Sequence, residues 1–247
     1  MKKMKKQKLS IIVPCYNEEE GISYLVAELD PMVEKLQQNY EVELIFVDDG
    51  SKDNTNHLLQ AHYGQRKNVK IIKHEHNQNL GAALKTGFSQ ATGDLIACLD
   101  SDCTYPPRLL EQLAGMIDEH TDISTVSPYH PRGKINHVPA HRLFLSKSVS
   151  RLYRTLLRSP IYTYTAMVRV YKKEVIQKVP FQSNTFLGVT ELMVKSILKG
   201  YKVKELPAEL SPRKFGTSKI KTFRLIRDHL GLIVKIAAHK IVNKERP

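Results

Sequence analysis

Strand-length apolar runs alternating with helix-length amphipathic segments constrain this chain more than any other feature of its sequence. Leu9 to Pro14, Val42 to Val47, Val69 to Lys73 and Asp94 to Leu99 are short apolar runs bounded by polar or turn residues, as strands are. Between them, Ile22, Leu25, Val26, Leu29, Val33 and Leu36 recur at helical spacing, as do Leu80, Ala83, Leu84 and Phe88. The order strand, helix, strand, helix predicts an α/β fold: a mostly parallel, Rossmann-like sheet with helices on both faces and a ligand crevice beyond the carboxyl ends of its strands. A chain of 247 residues that is 41% hydrophobic buries a real core, which excludes disorder.

Past Pro128 the pattern becomes irregular. A loop from Ser127 to Pro139 rich in His, Pro, Arg and Gly, then a basic helix from about His141 to Leu157, form a specialised insert over about 127–158. A strand near Ala166 to Tyr171, a helix from about Val189, a strand from Lys202 to Leu206 and a Pro-flanked loop to Lys219 follow. The tail places Phe223, Ile226, Leu230, Ile233, Ala237 and Ile241 on one stripe, with Arg224, Arg227, Lys235 and Lys240 mostly elsewhere, which predicts a basic amphipathic C-terminal helix. The expected organisation is therefore a domain over 1–219 and this helix over 220–247.

No stretch approaches the roughly 20 apolar residues of a membrane span. The Lys-rich start is followed by an apolar run too short for a signal-peptide core. Three cysteines without CxxC spacing exclude a disulfide framework and a zinc site, and predict a cytoplasmic location. Residues 1–120 hold 13 Lys and Arg against 18 Asp and Glu, whereas 121–247 hold 25 against 7. That asymmetry calls for an anionic partner at the second half: nucleic acid, acidic lipid headgroups or a phosphorylated substrate.

Strand two ends in Val47-Asp48-Asp49-Gly50-Ser51 and strand four in Leu99-Asp100-Ser101-Asp102, so four carboxylates emerge at one edge of the sheet. Asp100 and Asp102 can both turn toward Mg²⁺ or Mn²⁺, ions that favour a few carboxylates plus substrate phosphates. Asp-rich strand ends also serve as turn formers and helix caps, a role that fits Asp49 before Gly50 and Ser51. The segment Asn79 to Gly87 matches neither GxGxxG nor GxxxxGK[ST] and reads as a tight entry into a helix. Glu191 is the one candidate base for a hydroxyl acceptor; the alternative is an ordinary residue in a first helical turn.

Ile11 to Glu19 (IIVPCYNEE), Val47 to Asn54 (VDDGSKDN), Asn79-Leu80-Gly81 with Gly87, Asp100-Ser101-Asp102 and Arg213 to Lys219 (RKFGTSK) occur in chain order. This ordered set resembles the inverting family-two glycosyltransferases, particularly the polyprenyl-phosphate glycosyltransferases. The resemblance implies a GT-A fold and inverting, metal-dependent sugar transfer from a GDP- or UDP-linked sugar to a dolichyl-type polyprenyl phosphate. By position it implies that Pro14, Tyr16 and Glu18 border the nucleoside, with Asp48 or Asp49 accepting from base or ribose. Asp100 and Asp102 would hold the metal and the donor diphosphate, and Arg213 and Lys219 would close over the phosphates. Arg142, in Arg142-x-x-x-Ser146, matches the second acceptor-phosphate arginine. The first has either moved to Arg132 or been replaced, because the usual Ser-Arg-Tyr reads Ser127-Pro128-Tyr129.

A lipid acceptor and a basic second half together predict peripheral binding to an anionic membrane surface, on its cytoplasmic face. A sugar-nucleotide pyrophosphorylase would want a basic, Gly-rich loop after strand one, where this chain has Cys15-Tyr16-Asn17-Glu18. A nucleic-acid-binding protein would want stacking aromatics among its cations, and Tyr162-Thr163-Tyr164 stands isolated, so no nucleic-acid partner is expected.

Overall fold

The computed structural model describes residues 6–138, 140–216 and 222–244; of these, the side chains at 141, 142, 222, 223 and 239–244 are outside the description. The first half follows the expected alternation: β1 (Gln7–Cys15), α1 (Glu19–Leu36), β2 (Tyr40–Asp48), α2 (Thr55–Tyr63), β3 (Val69–Lys73), α3 (Leu80–Gln90) and β4 (Leu95–Cys98). Then come α4 (Leu109–Gly115), β5 (Ile123–Ser127), β6 (Lys134–Ile135), α5 (Ala140–Leu157), β7 (Arg169–Lys172) and α6 (Lys173–Lys178). The chain continues through α7 (Leu187–Leu198), β8 (Val203–Pro207), β9 (Glu209–Leu210) and α8 (Thr222–Lys244).

Seven strands form one sheet in the order β3-β2-β1-β4-β7-β5-β8, and β6 pairs with β9 apart from it. Only β7 runs against its neighbours β4 and β5; the other pairings are parallel. The carboxyl ends of β1, β2, β4 and β5 therefore open on one edge, and the reversed β7 brings the start of its strand, Arg169, to that same edge.

Side chains alternate across the pleat. From β1, Leu9, Ile11 and Val13 enter one core with Ile22, Leu25 and Leu29 of α1, Leu59 of α2 and Leu110 of α4. Ile12 enters the other, with Ala83 and Leu84 of α3, Tyr153 of α5, Val175 of α6, Leu192 of α7 and Ile236 of α8. The tail helix packs onto the globular body through Ile236, with Leu232 and Ile233 beside it, whereas Leu230 of the expected stripe is 54% exposed. Its His229 is 3% exposed and meets the hydroxyl of Tyr153 at 3.1 Å.

Burial drives the His229 pKa down to about 4, against a small opposing pull from Asp228. Unfolded chains protonate this ring near pH 6.5 and the folded one near pH 4. Stability is thus retained above pH 6.5 and falls on acidification through that window, by at most about 1.4 kcal/mol per pH unit. His229→Asn, whose amide can stand in for the ring nitrogen, should flatten this slope in thermal unfolding between pH 6.5 and 4. An unchanged slope would contradict a neutral, docked His229.

Candidate active site

The loops after β1 and β2 are laced together before any ligand enters. Ser51 Oγ accepts from the Asn17 amide (2.9 Å), Asn17 Oδ1 accepts from the Lys52 amide (2.8 Å), and Thr55 Oγ1 accepts from the Glu18 amide (2.7 Å). Gly50 sits at φ +70°, and a Cβ there would fall 2.4 Å from the His76 carbonyl carbon, so only glycine lets the β2 and β3 loops press together. At Gly81 a Cβ would fall 2.3 Å from the Ser183 oxygen. Its absence lets α3 begin against residues 183–185, with the Gly81 amide donating to Asn184 O at 2.7 Å.

A cleft of about 900 Å³ opens at this edge. Pro14, Tyr16 and Glu18 line it, as do Asp49, Asp100, Asp102 and Arg213. The two aspartates at the end of β2 behave differently. Asp48 is fully buried: Oδ1 accepts from the Ser51 amide at 2.9 Å, and Oδ2 has no hydrogen-bond partner. Asp49 faces the cleft. Of the two aspartates the sequence left open, Asp49 lines the cleft and Asp48 does not.

Arg213 bridges the acids. Its Nε donates to Asp102 Oδ2 at 2.9 Å and Nη2 to Glu18 Oε1 at 3.0 Å. The 213–216 segment is further tied across α1 by Lys214 to the Tyr24 hydroxyl (2.8 Å) and by the Gly216 amide to Glu20 (3.1 Å). Burial, then the charge of Asp102, pushes the Asp100 carboxyl above the usual aspartate range. Two crowded carboxylates of this kind favour a cation between or beside them.

The donor set suits a hard divalent ion. Among the described residues no three His, Cys, Asp or Glu side chains gather around one point. The cleft offers a carboxylate pair, which fits Mg²⁺ or Mn²⁺ that takes its remaining oxygens from water and a diphosphate.

On the acceptor side, neither Arg132 nor Glu191 lines the cleft. Arg132 lies on an exposed turn before β6 and does not line the cleft. The backbone of Arg142 lies in the first turn of α5, but its side chain, like the whole of Lys219, lies outside the described residues. Glu191 is not brought to the cleft either. Its carboxylate accepts from the Gln182 and Ser183 amides at 3.0 and 2.8 Å and pairs with Lys195 at 2.6 Å. Burial alone would raise its pKa, yet Lys195 and the two amides hold it below the ordinary glutamate value, the wrong direction for a base near neutrality. Glu191 instead clamps the loop that receives Gly81.

Several cleft residues escaped the sequence reading. Asn77 and Asn79 enter from the loop after β3, Ser146 from α5, and Arg224, Leu225 and Asp228 from α8. Asn77 could have been anticipated, because polar residues after a parallel strand fall at the ligand edge. The α8 residues could not, since their position depends on how the tail folds back.

The profile of glycosyl transferase family 2 matches residues 10–180, well over half the chain. The chain belongs to that family. It is 31% identical over 220 residues to the dolichol-phosphate mannosyltransferase of Pyrococcus furiosus, a match covering 87% of this chain and 59% of the relative. It thus spans less than two thirds of that relative's length.

Among solved structures, the fold resembles that of glucosyl-3-phosphoglycerate synthase from Mycobacterium tuberculosis. The complex of that enzyme with Mn²⁺, UDP and glucosyl-3-phosphoglycerate gives a TM-score of 0.71 at 18% identity, covering 94% of this chain and 80% of the other. Its complex with Mg²⁺ and UDP gives 0.72 at 17%, with the same coverage. The family's GT-A fold is therefore the fold of this chain, including the mostly parallel sheet that places Asp49, Asp100 and Asp102 at one edge.

Proposed function

We propose that this chain is a glycosyltransferase that moves a sugar from a nucleoside diphosphate sugar to a polyprenyl phosphate, with inversion at the anomeric carbon. The observation that carries this reading is the acidic pair Asp100 and Asp102 facing Arg213 in a cleft that also holds Asp49. Tyr16, Glu18 and Asp49 border the nucleoside. Asp100 and Asp102 hold a Mg²⁺ or Mn²⁺ ion, which when bound would neutralise charge developing on the departing diphosphate. Arg213 exchanges its carboxylate partners for phosphate oxygens, a bidentate task suited to a guanidinium. The named relative and the metal and UDP complexes of the structural neighbours support the donor and acceptor classes.

An acceptor phosphate is already anionic at neutral pH. Its oxygen forms the new bond to C1 as the bond from C1 to the diphosphate breaks, the nucleoside diphosphate leaves with the electron pair, and no proton moves. Positioning and electrostatics supply the catalysis. The engagement of Glu191 by Lys195 and two amides favours this over attack by a sugar hydroxyl with Glu191 as base. Nucleoside diphosphate release with a panel of short polyprenyl phosphates and the matching neutral alcohols tests the choice. Release only with the phosphates is expected, and equal release with the alcohols would overturn it.

We further propose peripheral attachment to an anionic membrane on its cytoplasmic face, in keeping with three buried free cysteines. No helix among the described residues is long and apolar enough to cross a membrane. Helices α5 and α8 pack together, and both expose large apolar side chains: Phe144 at 70% and Leu152 at 50% on α5, Leu230 at 54% and Val234 at 66% on α8. Lys147, Arg151, Arg227 and Lys235 are exposed on the same two helices, and α5 contains no acidic residue. Each cation near an anionic leaflet contributes roughly 1 kcal/mol.

Removing α8 would strip cover from buried Tyr153, so surface variants are the cleaner test. In vesicle co-sedimentation at low salt, wild type should prefer anionic over neutral vesicles and lose that preference at high salt. Leu230→Asn with Val234→Asn should cut anionic binding about tenfold, and unchanged binding would contradict this face.

A further inference from the structure

His74, just beyond β3, is 9% exposed and bonded at both ring nitrogens. Nδ1 lies 2.7 Å from Asp49 Oδ1, and Nε2 lies 2.9 Å from Thr86 Oγ1 on α3. A ring lone pair facing a carboxylate would repel it, so the partners assign the proton to Nδ1, which donates to Asp49. In the neutral ring Nε2 then accepts from the Thr86 hydroxyl. Both nitrogens are committed, which leaves His74 to act through Asp49.

The Asp49 carboxylate is held on every side but one. Oδ1 also accepts from the Gln78 amide at 2.9 Å, and Oδ2 accepts from Asn77 Nδ2 at 2.8 Å. An ionised carboxylate has about four acceptor positions, of which His74, Gln78 and Asn77 fill three. The fourth lies on Oδ2, and both Asp49 and Asn77 line the cleft. Gly50, pressed against the backbone of His76 and Asn77, keeps Asp49 from shifting to another site.

We propose that His74 is a positioning residue for donor selection: it fixes Asp49 so that the remaining Oδ2 position accepts a ring N–H of the nucleobase. Uracil (N3–H) and guanine (N1–H) offer that donor; neutral cytosine and adenine do not. This rests on the nucleoside diphosphate donor proposed above. Fixing the acceptor in advance makes a base that lacks the N–H leave a buried oxygen unpaired, which is how a polar site rejects a near-isostere.

The test is calorimetric titration of UDP, GDP, CDP, ADP and inorganic diphosphate into wild type, His74→Ala, His74→Gln and Thr86→Val, with Mg²⁺ fixed and thermal melts confirming the fold. Wild type should bind UDP or GDP about tenfold or more tighter than CDP and ADP. His74→Ala should lose about tenfold in that nucleotide while inorganic diphosphate stays within about twofold, and His74→Gln, whose amide can donate in place of Nδ1, should retain most of the affinity. Thr86→Val, which leaves the ring itself in place, should narrow the preference less than His74→Ala. In turnover, donor KM should rise with kcat unchanged at saturating donor.

A folded His74→Ala that keeps its preference, or weakens UDP and inorganic diphosphate alike, overturns the role of His74. Equal wild-type binding of all four nucleotides overturns it too and leaves the donor class standing. Wild type that binds no nucleoside diphosphate overturns the donor reading itself.

Discussion

Asp102→Asn is expected to lower kcat/KM for sugar transfer by about a thousandfold or more while leaving the fold intact. Asp102 sits at the cleft edge, where it accepts from Arg213 at 2.9 Å and from the Thr104 amide at 3.1 Å. An asparagine carbonyl can still accept from Thr104, which preserves the turn after β4. What it cannot do is supply the second negative charge beside Asp100. That loss weakens both the hold on a divalent ion and the docking of Arg213, so the departing diphosphate loses two sources of charge compensation. Steady-state kinetics beside a thermal melt checks the pair of expectations. Near wild-type turnover in a folded variant would remove Asp102 from the catalytic apparatus.

Arg169→Met should cost about 3–5 kcal/mol of stability, or roughly 10 °C in Tm. The side chain is fully buried at the start of the reversed strand β7. Nη1 donates to Val189 O and Nη2 to Tyr164 O, each at 2.7 Å, while Nε reaches Thr125 Oγ1 at 3.2 Å. One guanidinium thereby ties β5, the 160s loop and the first turn of α7 together beneath the cleft. Methionine fills similar space but takes a charged donor from each of two buried carbonyls, a loss of about 1.5–3 kcal/mol apiece, while Tyr164 O keeps the Thr190 hydroxyl at 3.2 Å. Arg169→Lys should fall between, because a single ammonium cannot span acceptors that a planar fork reaches at once. Urea unfolding of the three proteins tests this, and a Met variant within about 1 kcal/mol of wild type would show that the network contributes little.

β1, β2 and β4 are legible in the sequence because their apolar runs are buried on both faces, as in Val42 to Val47, whereas edge strand β3 shows only through half-buried Val69, Ile71 and Ile72. The sequence reading missed β5, Ile-Ser-Thr-Val-Ser, whose hydroxyls are satisfied inside the protein: Ser124 donates to Leu113 O and Ser127 meets Thr163. It also missed α2, whose polar surface leaves Leu59 and Tyr63 as its main anchors in the core. No local pattern announces that β7 inserts antiparallel between β4 and β5, because that pairing joins segments distant in the chain.

The candidate site divides in the same way. Carboxylates at strand ends were legible, since the strands fix their edge, and so was Arg213 through its motif. Which of Asp48 and Asp49 faces the cleft depends on the pleat and on His74 and Asn77, which arrive from the next strand. Glu191 stands out by residue type, and Arg132 only as a shifted position in the family's pattern. Their surroundings, Lys195 with two amides for one and an exposed turn for the other, are tertiary facts.

The most direct test of the account is to isolate the product made from a radiolabelled α-linked nucleoside diphosphate sugar and a short polyprenyl phosphate with Mn²⁺ present. The account predicts label in the organic phase as an acid-labile glycosyl phosphodiester whose anomeric proton reports the β configuration. Label that remains in water under every donor tested, or an α-linked product, would contradict it.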